Sequence, residues 1–239
     1  MTEELRETLN RVEVRTGEHR TIKSYVLRSN TLDEKQEETV QKYYEKYGVR
    51  FVDRLTDPSS LFVHPEKPVV IEIGFGMGTS TIQIARERSE YNYLGLEVYL
   101  QGYVKLLKMI GEEELDNIRI MRFNAVDVLE RMIPDGSIQG FHIFFPDPWP
   151  KKKHHKRRII QSDFVSLLAR KLRKGGYIYL VTDWEEYAEW MMDIISQEKL
   201  LANRFDGFAS PSDWRPMTKF ERKGLDKDYK INELMFERI

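Results

Sequence analysis

Apolar residues in this chain fall into short continuous runs separated by amphipathic stretches. Residues 69–73 (VVIEI) form a β-branched run with little alternation, as expected of a strand covered on both faces. Runs of the same kind follow at 93–98 (YLGLEV), 118–123 (IRIMRF), 138–145 (IQGFHIFF) and 177–182 (YIYLVT), with a terminal strand near 231–239 (INELMFERI). Between them lie helical segments: TSTIQIARERS, YVKLLKMI, VDVLERMI, FVSLLARKL and WEEYAEWMMDIIS. In the last of these, Tyr187, Trp190, Met191 and Ile194 are spaced as one core-facing stripe. PDGS at 134–137 reads as a turn, and Gly175-Gly176 as the stop of FVSLLARKL. Upstream, Thr31 and Glu34 have capping-box spacing for a helix running to about Tyr47 and ending near Gly48. Residues 1–30 are polar with no sustained period and read as a mobile basic arm, leaving 31–239 as one domain.

Strands alternating with helices of this length predict an α/β fold. It is a doubly wound, mostly parallel sheet with helices on both faces and an N-terminal basic extension. Ligands of such sheets bind beyond the carboxyl ends of the strands, at the topological switch point. A glycine loop at 74–78, Glu97, Asn124 and Asp147 all fall at those ends.

Composition narrows the function. The 239 residues suffice for a sizeable core. There is no cysteine, which excludes disulfides, thiolate zinc sites and a cysteine nucleophile, and agrees with a reducing cytoplasm. MTEELRETLN lacks the apolar stretch of a signal peptide, and no run approaches the ~20 apolar residues of a membrane span. The formal net charge of -1 hides a segregation. Residues 151–174 carry ten Lys/Arg against one Asp, residues 11–30 carry five against two Glu, and the remaining 195 residues stand at -13. An acidic body with two basic segments is the layout of a protein that meets a polyanion along one face. A charge run is equally compatible with a plain solvated surface, so composition does not decide.

The loop EIGFGMG, residues 72–78, lets the backbone turn tightly at Gly74, Gly76 and Gly78 and approach a ligand ahead of a helix N-terminus. A dinucleotide fingerprint would place its third glycine at position 79, where Thr79 sits. Glu97 follows Gly74 by 23 residues, the distance for a carboxylate that accepts both ribose hydroxyls of an adenosine cofactor. Glu72 faces badly toward a pyrophosphate but well toward a cationic amino group.

An acidic residue before G-x-G-x-G, with a second acid closing the next strand, resembles the S-adenosylmethionine site of class I methyltransferases. FPDPWPKKKHHKRR (145–158), TDW (182–184) and RPMTKFE (215–221) together resemble the tRNA (guanine-N7-)-methyltransferase family, over a stretch from about Ser24 to the C-terminus. The resemblance implies that Glu72, Glu97, Asn124 and Asp147 contact S-adenosylmethionine, and that Asp147 is catalytic. It assigns Lys151, Asp183, Thr218, Lys219, Phe220 and Glu221 to substrate. It assigns Lys153, His154, His155, Lys156, Arg157 and Arg158 to RNA contact, with tRNA as the partner and the variable loop as the place of the target guanine. Asn124 departs from the Asp common at the end of strand three, yet its carbonyl accepts and its NH₂ donates toward an adenine.

Plainer readings stand beside these. Asp183 and Glu186 also have the spacing of a helix N-cap pair. His154 and His155 are adjacent, so both cannot reach one metal from a helix face, and no metal is expected. Trp149 either plugs the end of the fourth strand or offers a flat face to a base.

Guanine N7 carries a lone pair and no proton, so its methylation needs no base to remove one. Alignment, water exclusion and a carboxylate that favours the cationic product suffice. Asp147, between prolines at the mouth of the fourth strand, suits that task, and the cationic run behind it would grip tRNA phosphates. An NAD-dependent oxidoreductase would leave the basic run unexplained, and a non-catalytic RNA-binding module would leave the glycine loop with Glu97 unexplained. An amino-group methyltransferase acting on adenine is the remaining rival, because D-P-W distantly echoes a D-P-P-Y motif.

Overall fold

The computed structural model describes residues 1–14, 23–26, 31–217, 221 and 230–239. A seven-stranded sheet runs in the order β3-β2-β1-β4-β5-β7-β6. Its strands are β1 (Val69–Ile73), β2 (Asn92–Leu96), β3 (Ile118–Met121), β4 (Ile138–Phe144), β5 (Leu172–Thr182), β6 (Leu201–Asn203) and β7 (Asn232–Arg238). The first five are mutually parallel, while β7 is antiparallel to both β5 and β6. The fold is the mostly parallel, Rossmann-like α/β sheet read from the sequence. The chain order reverses between β1 and β4, which puts the switch point there.

Every residue of β1, β2 and β3 is buried, which accounts for the absence of alternation in their sequences. Ile71, Leu94, Ile143 and Leu180 face a core completed by helices α5 (Ala125–Arg131), α6 (Ser162–Lys171) and α7 (Glu185–Ser196). Val70, Tyr93, Phe144 and Tyr179 face a second core under α2 (Glu34–Tyr47), α3 (Thr79–Glu87) and α4 (Leu100–Glu113). The α7 stripe packs as its spacing predicts, with Tyr187 and Met191 fully buried and Trp190 and Ile194 against the same core.

Four local expectations are corrected. The N-terminal segment is not featureless: α1 (Glu3–Asn10) buries Leu5 and Leu9, an i, i+4 pair too short a signal to read as a period. The cap of α2 is Asp33 with Gln36, a complete reciprocal box two residues beyond Thr31. α6 stops at Lys171 rather than at the glycines, and β5 begins at once with Leu172 opposite Ile138. Pairing then slips, so that Gly140 meets Tyr177, and Gly175 (φ +75) absorbs the irregularity. Finally, Asp183 does not cap α7: the N-cap is Trp184, without a side-chain bond.

Candidate active site

β1, β2 and β3 end in register, Ile73 opposite Leu96 and Leu96 opposite Met121. Pairing continues one step into the loops, through Gly74 N–H to the Leu96 carbonyl (2.8 Å) and Glu97 N–H to the Met121 carbonyl (3.1 Å). Gly74 and Gly76 then adopt φ of +78° and +56°, and a Cβ on either would meet nothing within 4 Å. The loop therefore turns bare backbone outward. α3 starts behind it at Gly78 with no capping side chain, so the positive end of that helix faces the loop.

Glu97 is the hinge pin of this corner. Its Oε2 accepts from Gly76 N–H (2.8 Å), and its Oε1 from Val98 N–H (2.7 Å) and Tyr99 N–H (2.9 Å). Burial raises its pKa, and the three backbone donors with Arg122 oppose that rise. Oε2, with one of these donors, keeps a lone pair for another. Asn124 caps α5, its side-chain oxygen accepting from Val126 N–H (2.9 Å), while its backbone N–H donates to the Val12 carbonyl (2.7 Å). The cap uses the side-chain oxygen, and the side chain also hydrogen-bonds the Tyr25 phenol.

Two cavities adjoin here. The inner one is walled by Gly74, Glu97, Asn124, Phe144, Asp147 and Tyr25. The outer one is walled by Tyr25, Glu97, Tyr99, Asp147 and Trp149. Asp147 thus belongs to both. It is exposed and has no hydrogen bond or ion pair among the described residues, on a turn bracketed by two non-glycine residues with positive φ, Phe145 (+50°) and Trp149 (+44°). Such backbone is costly and is sustained by its surroundings. Phe145 N–H donates to the Val181 carbonyl (2.7 Å), and Arg158 Nε donates to the Pro148 carbonyl (2.9 Å).

Glu72 is placed differently from its expectation. It lies beneath the glycine loop beside Thr81, is fully buried, and is not on the wall of either cavity. Its Oε2 has no partner among the described residues.

The cationic run divides into four settings. Lys151, Lys152, Lys153 and Lys156 are exposed and make no ion pair among the described residues. His154 stands edge-on to Trp149 and His155 edge-on to Trp190. Arg158 contradicts its expectation as an RNA contact: its side chain is fully buried between the Tyr187 and Trp190 rings and forms a forked pair with the Glu186 carboxylate. A residue so enclosed cannot reach a phosphate. Arg157 is half-buried and donates to backbone carbonyls of residues 23 and 25.

Asp183, free of its capping role, is half-buried with no partner among the described residues. Glu221, expected at substrate, is buried in a forked pair with Arg215 (2.7 and 2.5 Å), which also binds Glu233 (2.5 Å). Thr218, Lys219 and Phe220 lie outside the described residues. Among the described residues no group of side chains could hold a metal ion, and no helix is long and apolar enough to cross a membrane. Sequence reasoning missed Ser24 and Tyr25, which line the cavities. The one available signal was that Tyr25 is the first aromatic residue of the chain, alone in a polar segment.

A family described as "Putative methyltransferase" matches residues 66–234. A tRNA (guanine-N(7)-)-methyltransferase of Methylobacillus flagellatus is 46% identical over 219 residues, 92% of each chain. The protein of the same name from Neisseria meningitidis serogroup B is 44% identical, over 93% of each chain. Among solved structures, the 16S rRNA methyltransferase KamB aligns with a TM-score of 0.55 at 12% identity, covering 81% of this chain and 99% of that one, a likeness of fold.

Proposed function

This chain belongs to the tRNA (guanine-N7-)-methyltransferase family, and we propose that its two adjoining cavities hold the methyl donor and the acceptor guanine on either side of Asp147. The enzyme transfers a methyl group from S-adenosylmethionine to N7 of a guanine in tRNA. The residue assignments that follow are our reading. The observation that carries them is the membership of Asp147 in both cavity walls.

The inner cavity suits S-adenosylmethionine. The outward faces of Gly74 and Gly76 let a ligand approach the backbone where a side chain would intrude, and the uncapped start of α3 offers N–H groups to a carboxylate. Glu97, locked by three backbone donors, presents the free lone pair of Oε2 to the ribose. Asn124, bonded to Tyr25 on the same wall, stands toward the adenine edge. Glu72 stands below the loop as a neutral carboxyl, so it supports the loop's backbone rather than meeting the cationic end of the cofactor. When bound, S-adenosylmethionine supplies a methyl group activated by its sulfonium.

The acceptor guanine enters the outer cavity between Tyr99, Trp149 and Tyr25, aromatic walls suited to an unstacked base. Asp147 accepts from the guanine edge, orients N7 toward the inner cavity and favours the positive charge that spreads onto the ring. N7 carries no proton, so Asp147 takes none. Asp183 lies just beyond the end of β5 and contacts substrate. Lys151, Lys153 and Lys156 hold tRNA phosphates, with the variable loop presenting the target. The enzyme works in the cytoplasm, as a monomer or homodimer.

The test is incubation with labelled S-adenosylmethionine and tRNA, followed by digestion to nucleosides. Label in 7-methylguanosine is expected, and none in tRNA carrying 7-deazaguanine at the target position. Label on an adenine or exocyclic amino group would transfer the assignment to amino-group chemistry.

A further inference from the structure

Residues 23–26 (KSYV) run across the mouth of the site without regular structure, and among the described residues no backbone–backbone hydrogen bond holds them. Ser24 and Tyr25 nevertheless line the inner cavity, and Tyr25 and Val26 the outer one. Three successive carbonyls of this segment are held by side chains from the loop after β4. Arg157 Nε donates to the Lys23 carbonyl (3.0 Å), Trp149 Nε1 to the Ser24 carbonyl (3.3 Å) and Arg157 Nη2 to the Tyr25 carbonyl (3.2 Å). The guanidinium sits over the Trp149 ring, 3.9 Å from its centroid, so the two donors brace each other. Glu13 completes the seat, accepting from Tyr25 Oη (2.7 Å) and pairing with Lys23 Nζ (2.7 Å).

We propose that Arg157 is a positioning residue for the methyl donor: it seats Lys23–Val26 as the outer wall of the inner cavity, and so acts on cofactor binding without touching RNA. The proposal rests on the assignment of the inner cavity to S-adenosylmethionine. Arg157 has spent its fork on two carbonyls and one face on an indole, whereas Lys152, Lys153 and Lys156 reach solvent unengaged. Only a planar guanidinium can reach both carbonyls while stacking.

The experiment is calorimetric titration of S-adenosylmethionine into the full-length protein without tRNA. Arg157→Ala is expected to bind about ten-fold more weakly, the scale of two missing hydrogen bonds. Arg157→Lys, which keeps the charge and loses the fork, should lie close to it. Trp149→Phe, which loses only the indole donor, should weaken binding about three-fold, within the range for one hydrogen bond. Lys153→Ala should bind the cofactor as the wild type does. In parallel, the cofactor should protect the Lys23–Ser24 bond from trypsin in the wild type and much less in Arg157→Ala. Wild-type cofactor affinity in Arg157→Ala, with tRNA affinity reduced and its salt dependence flattened, would make Arg157 a phosphate contact and overturn the proposal. A wild-type protein that bound no S-adenosylmethionine would instead overturn the assignment of the cavity.

Discussion

Glu72 occupies the fourth position of β1, and burial pushes its carboxyl up from 4.5 to about 8; Glu97 adds to the rise and Thr81 opposes it. Between those two values the folded protein holds a proton that the unfolded chain releases. Stability from this group is therefore fully present below about pH 4.5 and is lost as pH rises through about 8. Glu72→Gln, which fixes the neutral form, should flatten that loss. Its thermal midpoint should exceed the wild type's at pH 9 by more than at pH 6, as calorimetric scans across that range would show. The sequence was legible in placement: Glu97 and Asp147 line the cavities at the strand ends where their positions put them. Arg158 was not legible, because the cations of 151–158 look alike until α7 packs Tyr187 and Trp190 around one of them. Glu221 was hidden for the same reason, since its partner Arg215 reads as another surface charge.

The elements hold the site by close backbone approach. Gly102 lies in the first turn of α4, and a Cβ there would stand 1.9 Å from the Gly76 carbonyl oxygen. Nothing in the pattern around Gly102 marked it, since the approach of α4 to the loop depends on tertiary packing alone. Gly102→Ala should displace the loop that turns its backbone toward the inner cavity. We expect a stability loss of about 1–3 kcal/mol, the scale of an overpacked core site, with weaker S-adenosylmethionine binding. Denaturant unfolding and titration of the same variant check both. Strands were legible because burial on both faces leaves an unbroken apolar run. The three-residue β6 was too short to leave one, and the slip in β5 depends on pairing with β4, which only tertiary structure reveals.

Charge over the molecule is sorted so that the exposed lysines of 151–156 stand on the same segment as Asp147, beyond the end of β4. The acidic remainder repels a polyanion, and the exposed lysines after Trp149 attract it beside Asp147. Replacing Lys152, Lys153 and Lys156 by Ala should weaken tRNA binding and lower its log–log salt slope by about 0.7–0.9 for each phosphate no longer neutralised. Cofactor affinity should hold, and binding measured across a salt series would show an unchanged slope if these lysines were only solvated surface. The fold and the class of chemistry were legible at this scale because a long, compositionally odd string sits at a strand end. The division of that string into exposed lysines, an arginine bonded to backbone carbonyls and a buried arginine was not.

In the proposed mechanism Asp147 orients guanine and favours charge without accepting a proton. The direct test is the pH dependence of single-turnover methyl transfer by Asp147→Asn, with both ligands saturating. Transfer should be slowed by a similar factor at every pH from about 6 to about 9, because no base is missing. A variant rate that climbed back toward the wild type's as pH rose would mean that Asp147 removes a proton, and the acceptor would then not be N7.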